Sequence, residues 1–316
     1  MTRLLSVALC ALACAHLSLA AHAGSSAQRA PLPSRIRVQL IEHGALTVKE
    51  IALEEYVSAA AVSEFAPPAG EMDLVEKMLE IQTIISRTYA ISHLGRHARD
   101  GFDLCSTTHC QLFEPGRLRT SRWAAAAIEA GSRTEGQVLR YGDQLAEALF
   151  HADCGGHTSS ANEVWGGPDR AYLVARADRG LAELAHVRWE YGVARNALAK
   201  VLQSDPRTRI DGALTSIAIT RRDSAGRAAR IEIRGRKAQK EVRGEDLRDV
   251  LTRVYGARAV RSTWFDVRNA GANVVFTGRG FGHGVGLCQA GALARLAAGA
   301  KPRDVIAFYY PGTIVN

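Results

Sequence analysis

The chain has 316 residues, 47% apolar and 23% charged, which is ordinary globular composition with ample material for a core and excludes a low-complexity polymer. Its formal charge of +8 suits an anionic partner, but no block of five like charges and no interleaved aromatics appear, so nucleic acid is not expected as a partner. Anionic envelope polymers fit the basic balance, as does a plain arginine-rich composition with no partner behind it.

The first residues, MTRLLSVALCALACAHLSLAAHAG, hold one early cation at Arg3, an apolar run, and small residues at Ala21 and Ala23. This predicts a signal peptide over 1–23. Cys10 and Cys14 would leave with it. An uncleaved membrane anchor is the alternative, and a membrane association is expected only in that case. The sequence holds no other long apolar run, so the mature protein is expected outside the cytoplasm, in the periplasm or cell-wall space.

A loose segment over 24–34 precedes RIRVQLIEHGALTVKEIAL, whose alternation around a His-Gly turn predicts a β-hairpin. LEEYVSAAAVSEF then predicts a helix stopped at the Pro67-Pro68 turn. A longer helix follows from about Glu71 to His93, with Met72, Val75, Met78, Leu79, Gln82, Ile85 and Tyr89 on one stripe. Residues 97–116 are rich in turns. A helix over about 120–131 and short strands near 137–141 and 145–151 come next. The segment 210–276 reads as mostly strand with a helix near 245–255, and helices at about 286–298 and 302–309 close the pattern. The whole is α+β, a single domain over 35–316 with interleaved helices and mostly antiparallel strands, including a β-rich insertion at about 185–276.

The stretch GRGFGHGVGLCQAGA at 278–292 alternates glycine over its first nine residues. Neither G-x-G-x-x-G nor a Gly-Lys-Ser/Thr sequence can be found in it, so it is not a phosphate cradle. The glycines imply close backbone approach or positive φ for another purpose. Glu64 ends a helix beside Phe65, where poor hydration would raise its pKa and make it a proton donor; a solvated helix end is the other reading. Cys105, His109 and Cys110, with His97 upstream, supply four N/S donors within fourteen residues. A closed zinc site and a Cys105–Cys110 disulfide both fit that spacing. Cys154 and Cys288 lie in two glycine-rich segments, and a Cys–His protease built on either lacks a nucleophile context.

Together these segments resemble the SpoIID/LytB family of bacterial cell-wall proteins over nearly the whole chain from about Arg35. LEEYVSAAAVSEF is similar to L-x-E-Y-V…V-x-x-E, IQTIISRTYA to A-Q-A-x-A-A-R-T-Y-A, and HADCGGHTSSANEVWGG to S-x-G-G-x-T…E-x-V-W. The end, GRGFGHGVGLCQAGALARLAAGAKPRDVIAFYYPGT, is similar to G-x-G-x-G-H-G-V-G-M-S-Q-x-G-A closing in Y-Y-P-G-T.

The resemblance implies a peptidoglycan lytic transglycosylase that cleaves the bond between N-acetylmuramic acid and N-acetylglucosamine and leaves 1,6-anhydro ends, on strands stripped of their peptides. Glu64 would be its acid, with no cofactor required for the chemistry. The alternative it carries is a non-catalytic, glycan-binding enhancer of a cell-wall amidase. The partners implied are glycan strands and such an amidase. Tyr89, Gly155, Gly156, Thr158, His283, Gly284 and Gln289 are assigned to a glycan groove, against a reading of His283 as a buried loop-fixing residue. The resemblance also favours structural zinc at His97, Cys105, His109 and Cys110. The chain departs from the family at Cys154 and Cys288, where much of it has serine, and this predicts a disulfide or neighbouring thiols there.

Overall fold

In the computed structural model, which describes residues 31–65, 71–182 and 185–316, the alternating stretch from Arg35 forms the expected hairpin. Strands β1 (Arg35–Glu42) and β2 (Ala45–Ala52) pair antiparallel in unbroken register. The turn is made by His43 and Gly44, at φ 51° and 82°, the double positive φ that twists a two-residue turn to match its strands. Ile36, Val38 and Leu40 are buried on one face, and β3 (Leu104–Cys105) runs parallel along the other edge of β1. The segment expected to be a signal peptide, the loose stretch as far as residue 30 and the Pro67-Pro68 turn lie outside the described residues.

Helix α1 (Leu53–Glu64) follows β2 directly, with Glu54 and Glu55 in its first turn, where the helix dipole favours negative charge. Helix α2 (Met72–Ser92) is the centre of the fold. From Met78 to Ile91 almost every side chain is buried, so the expected stripe holds except at Met72, which is 54% exposed. A helix covered all round needs neighbours on several sides. It has α1 and α4 (Ala124–Arg133) on one side, with the short α3 (Arg117–Thr120) behind them, and α8 (Gln289–Ala297) and α9 (Pro302–Tyr309) on another.

Polar side chains inside this packing are satisfied internally, as burial demands. Arg87, fully buried, grips Glu54 with Nε at 2.8 Å and Nη2 at 2.5 Å, and its Nη1 reaches the Gln137 carbonyl at 3.1 Å. Its role is thus both ion-pairing and carbonyl-binding. Thr83 and Thr134 share a hydrogen bond of 3.0 Å.

Residues 188–279 build a second core. The strand Arg188–Ala194 pairs with Asn273–Arg279, which pairs with Phe265–Ala270. Leu214–Arg222, Ala228–Gly235 and Gln239–Arg243 form an antiparallel meander. With α6 (Arg195–Gln203) and α7 (Gly244–Tyr255) they enclose Trp189, Leu198, Ile217, Ile231, Leu247 and Phe276. The Arg188–Ala194 strand lies in the region expected to be β-rich, and α6 is an addition to the pattern expected from sequence.

Two distant motifs zip the fold together. Leu287–Cys288 runs parallel to Phe150–His151, and single bridges join Asp153 to Phe281 and Ser159 to Val285. The short α5 (Ala161–Trp165) follows the first of these motifs. The result is an α+β fold with mostly antiparallel strands. Among the described residues, no helix is long and apolar enough to cross a membrane.

Candidate active site

Glu64 closes α1 because Phe65 turns to extended backbone, φ −126°, while its N–H still bonds the Ala61 carbonyl. That turn points the Glu64 side chain at the loop after β3. There the Leu112 N–H donates to Glu64 Oε1 at 2.5 Å, and next door the Glu114 N–H donates to Ser63 Oγ at 3.0 Å. From the opposite end of the chain, Gln289 Nε2 at the start of α8 donates to the Glu64 carbonyl at 3.4 Å and to Gln82 Oε1 at 3.1 Å. Gln82, a polar member of the α2 stripe, is therefore part of the frame.

The Glu64 carboxyl is half-buried, and burial pushes its pKa from the usual carboxylate value up to about 7, against the lowering effect of the Leu112 N–H. Two tyrosines lie within electrostatic reach of it. Tyr56 donates to Gln111 Oε1 at 3.0 Å and stacks on Phe113 with ring centres 4.7 Å apart, which fixes the residues on either side of Leu112. Tyr89 stacks on His93 and accepts a hydrogen bond from Arg96 at 3.2 Å. The arrangement can hold one proton near neutral pH and present it from a partly open position.

The loop that supplies Leu112 is the one with the cysteines and histidines. One donor atom from each of His97, Cys105, His109 and Cys110 lies within 4.8 Å of all the others. His97 Nε2 is 3.3 Å from Cys110 Sγ, and His109 Nδ1 is 3.7 Å from Cys105 Sγ and 3.6 Å from Cys110 Sγ. A tetrahedral zinc with Zn–S of about 2.3 Å and Zn–N of about 2.05 Å sets S···N edges near 3.6 Å, so the donors fit that ion. Both cysteines are free thiols in the structure.

The groove residues expected from sequence fall into two groups. Tyr89 and Gln289 belong to the surroundings of Glu64. Gly155, Gly156, Thr158, His283 and Gly284 gather instead where the two glycine-rich motifs face each other. Thr158 Oγ1 donates to the Val174 carbonyl at 3.0 Å and accepts from the Arg176 N–H at 3.1 Å. His283 Nδ1 accepts from the Val285 N–H at 3.1 Å, its ring lies 5.1 Å from that of Trp165, and burial pushes its pKa down to about 4. A Cβ on Gly155 would meet the Trp264 ring at 3.0 Å, and one on Gly156 would lie 3.6 Å from His186. Gly284, at φ +83°, lies against Arg227, whose guanidinium a Cβ would meet at 2.5 Å. At Gly286, φ +71°, a Cβ would sit 2.0 Å from the Leu149 carbonyl oxygen. The alternating glycines thus let two parts of the chain approach each other closely. Cys154 and Cys288 meet there as neighbouring free thiols. The buried Arg227 and Asp178 of this region carried no sequence signal, since neither sits in a motif.

Residues 42–141 match the family model SpoIID, described as Stage II sporulation protein, a span that includes Glu64 and all four N/S donors. Residues 180–286 match a domain of unknown function, DUF8618, over the second core. An uncharacterized protein of Brachyspira hyodysenteriae is 28% identical over 268 residues, 84% of this chain and 67% of its own length. The protein named Amidase enhancer of Bacillus subtilis is 25% identical over 281 residues, 75% of this chain but only 38% of its own length. Stage II sporulation protein D of Bacillus subtilis is 25% identical over 284 residues, 85% of this chain and 76% of its own. The family model covers the helices and loop that frame Glu64, and these relatives extend the similarity to SpoIID proteins along three quarters or more of the chain.

Proposed function

We propose that this chain is a peptidoglycan lytic transglycosylase with Glu64 as its single acid and base. The observation that carries the reading is the half-buried Glu64 carboxyl, held at a pKa of about 7 with a backbone N–H fixed on one oxygen. Leu112 holds Oε1, which leaves Oε2 to deliver the proton to the glycosidic oxygen between N-acetylmuramic acid and N-acetylglucosamine. As that C1–O bond breaks, the C6 hydroxyl of the muramic acid attacks C1 and closes the 1,6-anhydro ring. Its proton passes to the Glu64 carboxylate, restoring the acid. A hydrolase with two carboxylates needs a second acid at a set distance.

Zinc at His97, Cys105, His109 and Cys110 would be structural in this scheme. It would brace the loop that presents Leu112 and take no part in the reaction. The chain would act in the periplasm or cell-wall space, on strands already stripped of peptides, with the second core at about 185–276 as an insertion in the SpoIID-like domain.

The similarity to the Amidase enhancer over 75% of this chain favours a second reading, a glycan-binding partner that stimulates a cell-wall amidase without cutting glycan itself. The purified protein and Glu64→Gln are to be incubated with intact and amidase-stripped peptidoglycan, with products read by mass spectrometry. Anhydro ends from wild type and none from Glu64→Gln support the enzyme. Binding by both with anhydro ends from neither refutes it and leaves the enhancer.

A further inference from the structure

We propose that His151, Cys154 and Cys288 form a second metal centre, a buried three-coordinate site for a thiophilic cation of the monovalent copper type. One donor atom from each lies within 4.8 Å of the other two, and all three residues are buried. The parallel pairing that joins the two glycine-rich motifs builds the site, since it sets Cys288 directly opposite His151. The centre shares no residue with the His97 cluster.

His151 supplies the observation that points to a ligand. Its Nδ1 lies 3.1 Å from the Val285 carbonyl, which can only accept, so Nδ1 carries the proton. The lone pair is then on Nε2, and Nε2 is buried with no hydrogen-bond partner. A neutral imidazole with one nitrogen fixed by a backbone carbonyl and the other empty is the state in which histidine binds a metal.

Backbone N–H groups converge on both sulfurs. Cys288 Sγ accepts from the Cys154 N–H at 3.2 Å and from the Gly291 N–H, in the first turn of α8, at 3.3 Å. Cys154 Sγ accepts from the Gly156 N–H at 3.3 Å. Burial and the neighbouring Cys154 and Asp178 push the Cys288 thiol pKa well up against the Gly291 N–H, so an incoming cation must displace the thiol proton, and the N–H donors then hold the sulfur it leaves. The Arg227 guanidinium, buried with Nε and Nη1 unpartnered, lies within electrostatic reach of both sulfurs. Two thiolates and a monovalent cation carry a net charge of −1, which that cation complements.

The number of donors selects the metal. Asp178 Oδ2 is 3.6 Å from Cys154 Sγ, but it already accepts from Tyr309 Oη at 2.5 Å, and Oδ1 accepts from Arg295 at 2.8 Å and the Gly180 N–H at 3.2 Å. It is thereby held back as a fourth ligand. Two sulfurs and one nitrogen suit a soft cation content with low coordination, whereas closed zinc sites take four donors. Binding displaces two thiol protons to solvent and forms three metal–ligand bonds, with no change of oxidation state.

The test is an anaerobic titration of the reduced protein with Cu(I) acetonitrile complex against a competing chelator, with metal counted by mass spectrometry. The Cys105→Ser/Cys110→Ser variant, which lacks the other cluster, is expected to bind one copper per chain. Its X-ray absorption should show two sulfurs and one nitrogen. Adding Cys154→Ser/Cys288→Ser to that variant, which installs the residue that the resembled motifs carry, should lose that copper. His151→Gln should weaken binding roughly tenfold or more. Copper retained by a folded variant carrying all four Cys→Ser substitutions would overturn the site, as would isolation of the wild type with Cys154 and Cys288 oxidised to a disulfide. Should the fourfold variant fail to fold, the absorption spectrum decides, because a shell other than two sulfurs and one nitrogen also refutes the assignment.

Discussion

Replacing Glu64 with glutamine is expected to stabilise the protein at alkaline pH and to leave it unchanged at acid pH. The folded state raises the Glu64 pKa from 4.5 to about 7, so it binds that proton more tightly than the unfolded chain does. Below pH 4.5 the group is neutral in both states and costs nothing. As the pH rises through 7 the folded protein must carry an ill-hydrated carboxylate, and the stability gained from the tighter proton is lost. A shift of this size corresponds to about 3 kcal/mol, which the half-buried position trims to about 2 to 3 kcal/mol. Glutamine keeps an oxygen for the Leu112 N–H and never ionises. At about 2 °C per kcal/mol for a chain of this size, Glu64→Gln should melt roughly 5 °C above wild type at pH 8 and level with it at pH 4. Thermal melts by circular dichroism across that range provide the measurement, and the difference between variants cancels every other titrating group. Equal melting temperatures at pH 8, or the same offset at both pH values, would show that the carboxyl is not desolvated, and the acid would lose its physical basis.

Other outcomes follow from the same packing. Arg87→Met removes both contacts to Glu54 and the bond to the Gln137 carbonyl, and should cost about 3 to 5 kcal/mol in urea unfolding; a loss under about 1 kcal/mol would show that the pair is not formed. Gly286→Ala drives a Cβ to 2.0 Å from the Leu149 carbonyl oxygen, whereas Gly256→Ala, at a similar φ of +82°, meets nothing within 4 Å. Melting should place Gly256→Ala about 1 kcal/mol below wild type and Gly286→Ala far lower or unfolded, and equal losses would refute the close approach. Zinc is expected at one per chain outside the copper site, lost in Cys110→Ser. Its removal should lower the melting temperature, readable by repeating the thermal melts on the chelated protein; an unchanged melting temperature would show that the metal does not brace the loop.

Local patterns in the sequence specified local structure well. The His43-Gly44 turn between alternating strands and the apolar run of α2 each appear where expected, because a two-residue turn and a buried helix are set by neighbours within a few positions. The four N/S donors were equally visible, since a loop of fourteen residues can gather them alone. The environment of Glu64 was not visible in the same way. Its hydrogen-bond partners are Leu112 and Gln289, and the second of these is 225 residues away. The glycine run showed that something approaches the backbone closely, but periodicity cannot say what. The approaching groups are Arg227 and the Leu149 carbonyl of the same chain. The Arg188–Ala194 strand falls in the expected β-rich region, but its pairing was not legible because its partner, Asn273–Arg279, lies some eighty residues further on.

The contact between Gln289 and the end of α1, together with the packing of α8 and α9 on α2, also dictates an order of events. Glu64 lies in the first quarter of the chain, yet the amide that braces it and two of the helices that cover α2 come from its last tenth. Closing a loop of more than two hundred residues is slow, and the early helices have no finished core until it closes. A chain that has not yet reached residue 289 lacks the bond from the Gln289 amide to the Glu64 carbonyl. The end of α1 gains that brace, and α2 its last cover, only when residues 289–309 dock, so the early and late parts of the chain finish folding together.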